Sequence, residues 1–134
     1  MQSLVDKAVE IYGRLDCAHN NAGSEREYTF PELKHTEEIW NRTIDVNLKG
    51  VWLWMKYEVP EMLKHGGGAI GNTSSIAGLV AVVGQPVYIA SKHGVIGLTR
   101  ATALEHAQRG HLGQCGVSGL YRDAADGANL RAAS

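Results

Sequence analysis

The sequence predicts an α/β fold built on a parallel sheet. Two observations carry this. Strand-like and helix-like segments alternate along the chain, the pattern of a parallel sheet connected through helices. Apolar residues recur at helical spacing in two long stretches. The composition agrees: 44% hydrophobic and 20% charged residues describe a globular chain rather than a disordered one. At 134 residues the chain is one modest domain with a real core.

The elements follow in order. In "SLVDKAVEIY", residues 3–12, Leu4, Ala8 and Ile11 share one helical face, with Ser3 as N-cap and Gly13 after the last turn. "RLDCAHNNAG", from Arg14, reads as a strand entering an Asn/Gly turn. A polar loop fills about 24–35. Thr36 then caps a helix whose first turn carries Glu37 and Glu38. That helix, about 36–64, bears a stripe of Trp40, Ile44, Val51, Met55, Val59 and Met62, and Pro60 is expected to kink or end it. "AIGNTSS", 69–75, reads as the second strand. "QPVYIASKHGVIGLTRATALEHA" reads as the second long helix, with Pro86 suited to its first turn. "GGGAIG", Gly66–Gly71, matches the dinucleotide fingerprint letter for letter. It follows a helix and precedes a strand, the reverse of what a phosphate loop needs, so it reads as a connection.

Several function classes are excluded. The formal net charge is -1 with basic residues scattered, which gives no nucleic-acid footprint. No apolar run is long enough to span a membrane, and no signal peptide is evident. Cys17 and Cys115 lack metal-ligand spacing, the histidines form no ligand pattern, and no metal is expected. The default is a reduced, cytoplasmic protein.

The chemistry concentrates in "NTSSIAGLVAVVGQPVYIASK", Asn72–Lys92. Tyr88 and Lys92 are an i, i+4 pair and share a helix face. A free phenol, with a pKa near 10, is a poor base at neutral pH. An adjacent ammonium favours the phenolate, so such a pair can pass a proton to or from an alcohol or carbonyl oxygen. Ser75, at the end of the second strand, could hold the same oxygen. Ligands of parallel sheets bind beyond the carboxyl ends of the strands, where Ser75 and the turn Asn20–Gly23 would both lie. Asn47 interrupts the first apolar stripe. Either it bonds neighbouring backbone, since an unmet buried amide costs roughly 1–3 kcal/mol, or it holds a water beside Lys92. Ser74 reads as a strand-end bond-maker rather than a catalyst.

With "NNAG" (20–23), "DVNLKG" (45–50), "NTSSIAG" (72–78) and "YIASKHGVIGLTRATALE" (88–105), the sequence resembles the short-chain dehydrogenase/reductase family over about residues 4–109. The resemblance implies a partial Rossmann-like, doubly wound parallel sheet lacking the N-terminal βαβ units. It implies an NAD(P)-dependent oxidoreductase that interconverts a secondary alcohol and a carbonyl of a small-molecule substrate, with NAD or NADP as cofactor. Tyr88 would be the acid/base and Ser75 would orient the substrate oxygen. Lys92 would assist the tyrosine and bond the nicotinamide ribose, and Asn47 would hold the relay water. Asn20, Ala22 and Gly23 would line the adenosine side and steady the sheet. A homo-oligomer through the two long helices is also implied. The alternative is a catalytically incompetent fragment or a helix-pairing interaction protein.

Three departures from the family pattern stand out. The family's opening strand and glycine-rich turn are absent, as if Met1 fell roughly 80 residues into the usual layout. Gly71 replaces a bulky aliphatic residue expected in a buried parallel strand, a cost of roughly 0.5–1 kcal/mol. After "LEHAQRG" the family's next strand is missing, leaving two strands and an aberrant or disordered tail over 110–134. Codons can be written for Gly110–Asp123 that read "GISVNAVCPGFIE" one base later, which resembles the family's strand and Pro-Gly turn. Residues from about 110 are therefore expected to be a frameshifted reading. Codons at the locus incompatible with it would refute this, leaving a divergent tail.

Overall fold

The computed structural model describes residues 1–24, 34–81, 83–107 and 115–118. In order these form α1 (Gln2–Tyr12), β1 (Cys17–Asn20), α2 (Glu37–Ile44), a π-helical turn (Asp45–Lys49), α3 (Gly50–Leu63), β2 (Ala69–Thr73), a 3-10 turn (Ile76–Gly78), α4 (Pro86–Ala107) and β3 (Cys115–Ser118). The sheet is parallel with order β1–β2–β3; Cys17 stands opposite Ala69, and Ile70 opposite Cys115. The α/β fold and parallel pairing read from the sequence hold.

The strand count is corrected. Two strands were expected, and the described residues hold three. β3 falls inside the segment read as an aberrant tail, and its four residues, "CGVS", are too short a run to stand out. Pairing along β2 makes it a strand, a non-local cause that local pattern does not report. The rest of 108–134, and the loop over 25–33, lie outside the described residues.

Helix ends obey local chemistry. Thr36 Oγ1 accepts from the Ile39 N–H at 3.3 Å, and Glu37 and Glu38 occupy the positive first turn. Gly13 ends α1 at φ 79° and donates its N–H to Val9 O at 2.8 Å. Pro86 opens α4. Ser3, expected as N-cap of α1, lies inside that helix, whose cap position is Met1. Its expected face of Leu4, Ala8 and Ile11 is also corrected: Leu4 and Ile11 are exposed and Val5 is the buried residue. Pro60 does not end its helix, which runs on to Leu63. Trp40 is exposed despite its place in the stripe, and Thr43 is buried instead. Gly66 and Gly67, at φ 87° and 109°, carry the chain from α3 towards β2, so "GGGAIG" is a helix-to-strand connection.

The core is Val51, Met55, Val59 and Met62 of α3, Ile70 of β2 and Val95 of α4. It lies on the sheet face that carries Asn20, Ile70 and Asn72, because those residues meet α3 and α4. The opposite face holds exposed Cys17 and His19, with His19 Nε2 bonded to Thr73 Oγ1 at 3.0 Å. Gly71 stands opposite His19 in the register, on this second face. It is half-buried, not the fully buried strand position expected.

Candidate active site

β2 ends at Thr73, and the chain turns through Ser74 and Ser75 into the 3-10 turn. Ser74 is buried and donates to Lys92 O at 3.1 Å, tying the strand tip to α4. Ser75 caps the short turn, its Oγ accepting from Ala77 N–H at 3.2 Å. Ala77 packs with Tyr88 in a small buried cluster. Gly78 lets this turn sit against α4: a Cβ there would meet Ser74 Oγ at 2.5 Å, Ile96 Cδ1 at 2.8 Å and Lys92 O at 2.9 Å.

Tyr88 and Lys92 follow one turn apart on α4, both buried. The Lys92 Nζ lies 5.7 Å from the Tyr88 ring centroid and donates to Thr73 O at 3.1 Å. One carbonyl at the strand's carboxyl end thus holds the ammonium beside the phenol ring. Gly23 approaches from β1's turn, where a Cβ would stand 3.4 Å from Lys92 Nζ and 3.6 Å from Asn47 Oδ1.

Asn47 is fully buried within the π-helical turn. Gly50 N–H reaches back to Asp45 O, a five-residue step that widens the helix at this point. The Asn47 side chain clasps one residue of the turn after β1: Oδ1 accepts from Ser24 N–H at 2.8 Å and Nδ2 donates to Ser24 O at 3.1 Å. Nδ2 also donates to Ser91 Oγ at 3.2 Å, and Ser91 donates to Tyr88 O at 2.7 Å. Of the two readings of Asn47, these bonds are those of an amide fastened to backbone.

The structure therefore brings Ser75, Tyr88, Lys92, Asn47 and Gly23 to one end of the sheet. Asn20 differs, because its side chain turns into the helix layer and donates to Glu58 Oε2 and Asn72 Oδ1, both at 3.0 Å. Ala22 lines a cavity of about 440 Å³ with Asn20, Asn21, Trp54 and Glu58. Burial pushes the Glu58 carboxyl above its ordinary range, and the Asn20 bond partly opposes this. Sequence reasoning missed Ser24, Thr73, Ser91 and Glu58. It quoted Asn72 without a role, although its place on the same face as Ile70 was a signal, since an inward polar residue needs a partner. Among the described residues no His, Cys, Asp and Glu group suits a metal, and no helix is long and apolar enough to cross a membrane.

A parallel sheet with crossover helices and polar groups gathered beyond its strand ends defines a Rossmann-like domain. The chain belongs to the short-chain dehydrogenase family, whose model matches residues 1–117. It is 49% identical over 114 residues to a cyclohexanol dehydrogenase of Acinetobacter sp. (strain SE19), covering 82% of this chain and 43% of that one. It is 44% identical over 109 residues to the 3-oxoacyl-(acyl-carrier-protein) reductase FabG of Thermotoga maritima, covering 81% and 44%. Carveol dehydrogenase from Mycobacterium avium, solved in complex with NAD, superimposes with a TM-score of 0.81 at 41% identity, over 87% of this chain and 41% of that one. Levodione reductase gives a TM-score of 0.80 at 33% identity, over 87% and 44%. The chain spans less than half the length of these relatives.

Proposed function

We propose that this chain carries the proton-handling part of an NAD(P)-dependent oxidoreductase that interconverts a secondary alcohol and a carbonyl on a small molecule. The observation that carries the reading is Lys92 Nζ, held by Thr73 O 5.7 Å from the Tyr88 ring centroid. Tyr88 gives a proton to the carbonyl oxygen, or takes one from the alcohol, with the Lys92 ammonium beside it. Ser75 orients the substrate oxygen. Asn47 keeps Ser24 and Ser91 in place around the pair, and the proposed relay water would sit on the second lone pair of its Oδ1, beside the backbone bond that it already makes.

A nicotinamide dinucleotide, NAD or NADP, would supply the hydride donor or acceptor. The residues fit its nicotinamide ribose: Lys92 offers a donor, and Gly23 keeps the approach open where a Cβ would stand 3.4 Å from Nζ. Ala22 and Gly23 would line the cofactor, and Asn20 would brace the sheet beneath it. The NAD complex of the carveol dehydrogenase supports this assignment. The exposed Cys17 thiol suits a reducing, cytoplasmic setting.

The test is turnover of cyclohexanol with NAD and with NADP by the full chain, beside Tyr88→Phe and Ser75→Ala. Expected is activity abolished by Tyr88→Phe and strongly reduced by Ser75→Ala. Activity indifferent to Tyr88→Phe overturns the reading. A second reading, a non-catalytic fragment that pairs through its helices, has its own support: Trp40, Trp52 and Leu104, on α2, α3 and α4, are exposed. The same helices would carry a homo-oligomer. Failure of either dinucleotide to bind at micromolar concentration in calorimetry, with self-association retained on sizing, favours that second reading.

A further inference from the structure

Glu58 is a buried acid that the Tyr88 chemistry does not use. It is 5% exposed on α3 and forms part of the wall of the 440 Å³ cavity beside β1. The cavity's α1 wall, Leu4, Val5 and Ala8, is apolar, and among the described residues no Lys or Arg lines it. Among the described residues His19 is the other titratable group on the lining; its Nε2 is engaged with Thr73 Oγ1 on the opposite sheet face. On α3 itself, Lys56 lies over the rings of Trp52 and Tyr57, and Glu61 pairs with Lys64. Burying a carboxyl without a countercharge is costly. What the carboxyl does receive is an amide hydrogen.

That hydrogen closes a chain whose direction is determined. Thr99 O–H donates to Val95 O at 2.7 Å, so Thr99 Oγ1 can only accept from Asn72 Nδ2, at 2.9 Å. The second Asn72 amide hydrogen goes to Met55 Sδ at 3.2 Å. Asn72 therefore turns its Oδ1 towards β1, where it accepts from Asn20 Nδ2, and the other Asn20 amide hydrogen goes to Glu58 Oε2. Asn20 thus donates both ways, through Asn72 and Thr99 to Val95 O on α4 and directly to the Glu58 carboxyl on α3, and the network joins α4, β2, β1 and α3.

We propose that Glu58 is a positioning residue. It holds the Asn20 amide in the orientation that clamps β1 to β2, and so sets the path of the turn Asn21–Gly23 beside Lys92 and Asn47. An ionised carboxylate is acceptor-only, which suits the donor arriving from Asn20. A protonated one keeps a neutral carbonyl oxygen that accepts more weakly and adds an O–H for which Asn20 Nδ2 has no lone pair, so protonation weakens the clamp. Only the consequence for cofactor binding rests on the function proposed above; the coupling of Glu58 to Asn20 and Gly23 does not.

The experiment follows the side-chain amide signals of Asn20, the backbone amide of Gly23 and the carboxyl carbon of Glu58 by NMR across acid to neutral pH in the full labelled chain. Expected is one shared midpoint, above that of an ordinary glutamate, and its loss from the Asn20 and Gly23 signals in Glu58→Gln. Asn20 and Gly23 signals that stay flat while Glu58 titrates overturn the proposal, and this arm needs no variant to fold. Persistence of the shared midpoint in Glu58→Gln also overturns it. NAD titration alongside separates the two ideas: a chain that binds no dinucleotide but shows the shared midpoint refutes the function and sustains the positioning role.

Discussion

Replacing Asn47 with alanine tests the site's architecture most directly. The substitution deletes three hydrogen bonds, of 2.8, 3.1 and 3.2 Å, from a fully buried side chain. The two to Ser24 strand one N–H and one C=O at a half-buried turn. Each such bond is worth about 1 kcal/mol net, rising towards 1–3 kcal/mol where the abandoned group stays dry. The loss at Ser91 is cheaper, because its hydroxyl keeps its own bond to Tyr88 O. The expected total is about 2–4 kcal/mol, a large share of the roughly 5–15 kcal/mol that holds a domain folded. Urea unfolding followed by tryptophan fluorescence gives the number, and hydrogen exchange at the Ser24 amide gives its location. A change below about 0.5 kcal/mol, the range of an ordinary surface substitution, with Ser24 exchange unaltered, would refute the view that Asn47 fastens this turn.

Three further outcomes are expected. Gly78→Ala places a methyl within 2.5 Å of Ser74 Oγ and 2.9 Å of Lys92 O; it should destabilise the chain by about 1–3 kcal/mol, measured by the shift in urea midpoint. Gly71→Ala is the opposite case, because the new Cβ finds His19 Cδ2 at 3.5 Å, an ordinary contact; a gain of about 0.4–1 kcal/mol is expected through the unfolded chain. The third concerns pH. Since the folded Glu58 carboxyl titrates above its unfolded value, its contribution is fully present below the unfolded pKa and is lost as pH rises through the folded one. The stability of Glu58→Gln should therefore fall less than wild type over that window, as read by thermal melts at successive pH values.

What could be read from the sequence was what neighbours along the chain decide. Thr36, Gly13 and Pro86 act on backbone within one helical turn, and each sits at or beside the helix end it signals. Tyr88 and Lys92 were legible for the same reason, since four residues along a helix is a spatial statement. The π-helical turn was not legible, although its mark was visible as a polar residue inside an apolar stripe. β3 was invisible because its partner lies more than 40 residues earlier, in β2. The face of α1 was misread because Leu4 and Val5 are adjacent and both apolar, and only the packed neighbour decides which turns inward. Glu58 looked like one more charge on a long helix until Asn20, 38 residues away in sequence, came to meet it.

The two faces of the sheet explain why the site groups hang together. α3 and α4 both pack on the face of Asn20, Ile70 and Asn72, so one polar chain can run from α4 through both strands to α3. At the strands' carboxyl ends α4 and the π-helical turn that leads into α3 meet the turns: α4 through Lys92 to Thr73 O, and the π-helical turn through Asn47 to Ser24. The bonds that reach Lys92 and Ser24 thus come from one helical layer, while on the other face Thr73 Oγ1 donates to Asn21 Oδ1 at 2.8 Å. Loosening the Asn20 clamp should move Gly23 relative to Lys92, whereas an added methyl at Gly71, on the opposite face, should leave that spacing alone. The alanine at Gly71 doubles as the control: if it disturbed the Gly23 signal as strongly as Glu58→Gln does, the one-layer account of the site would fail.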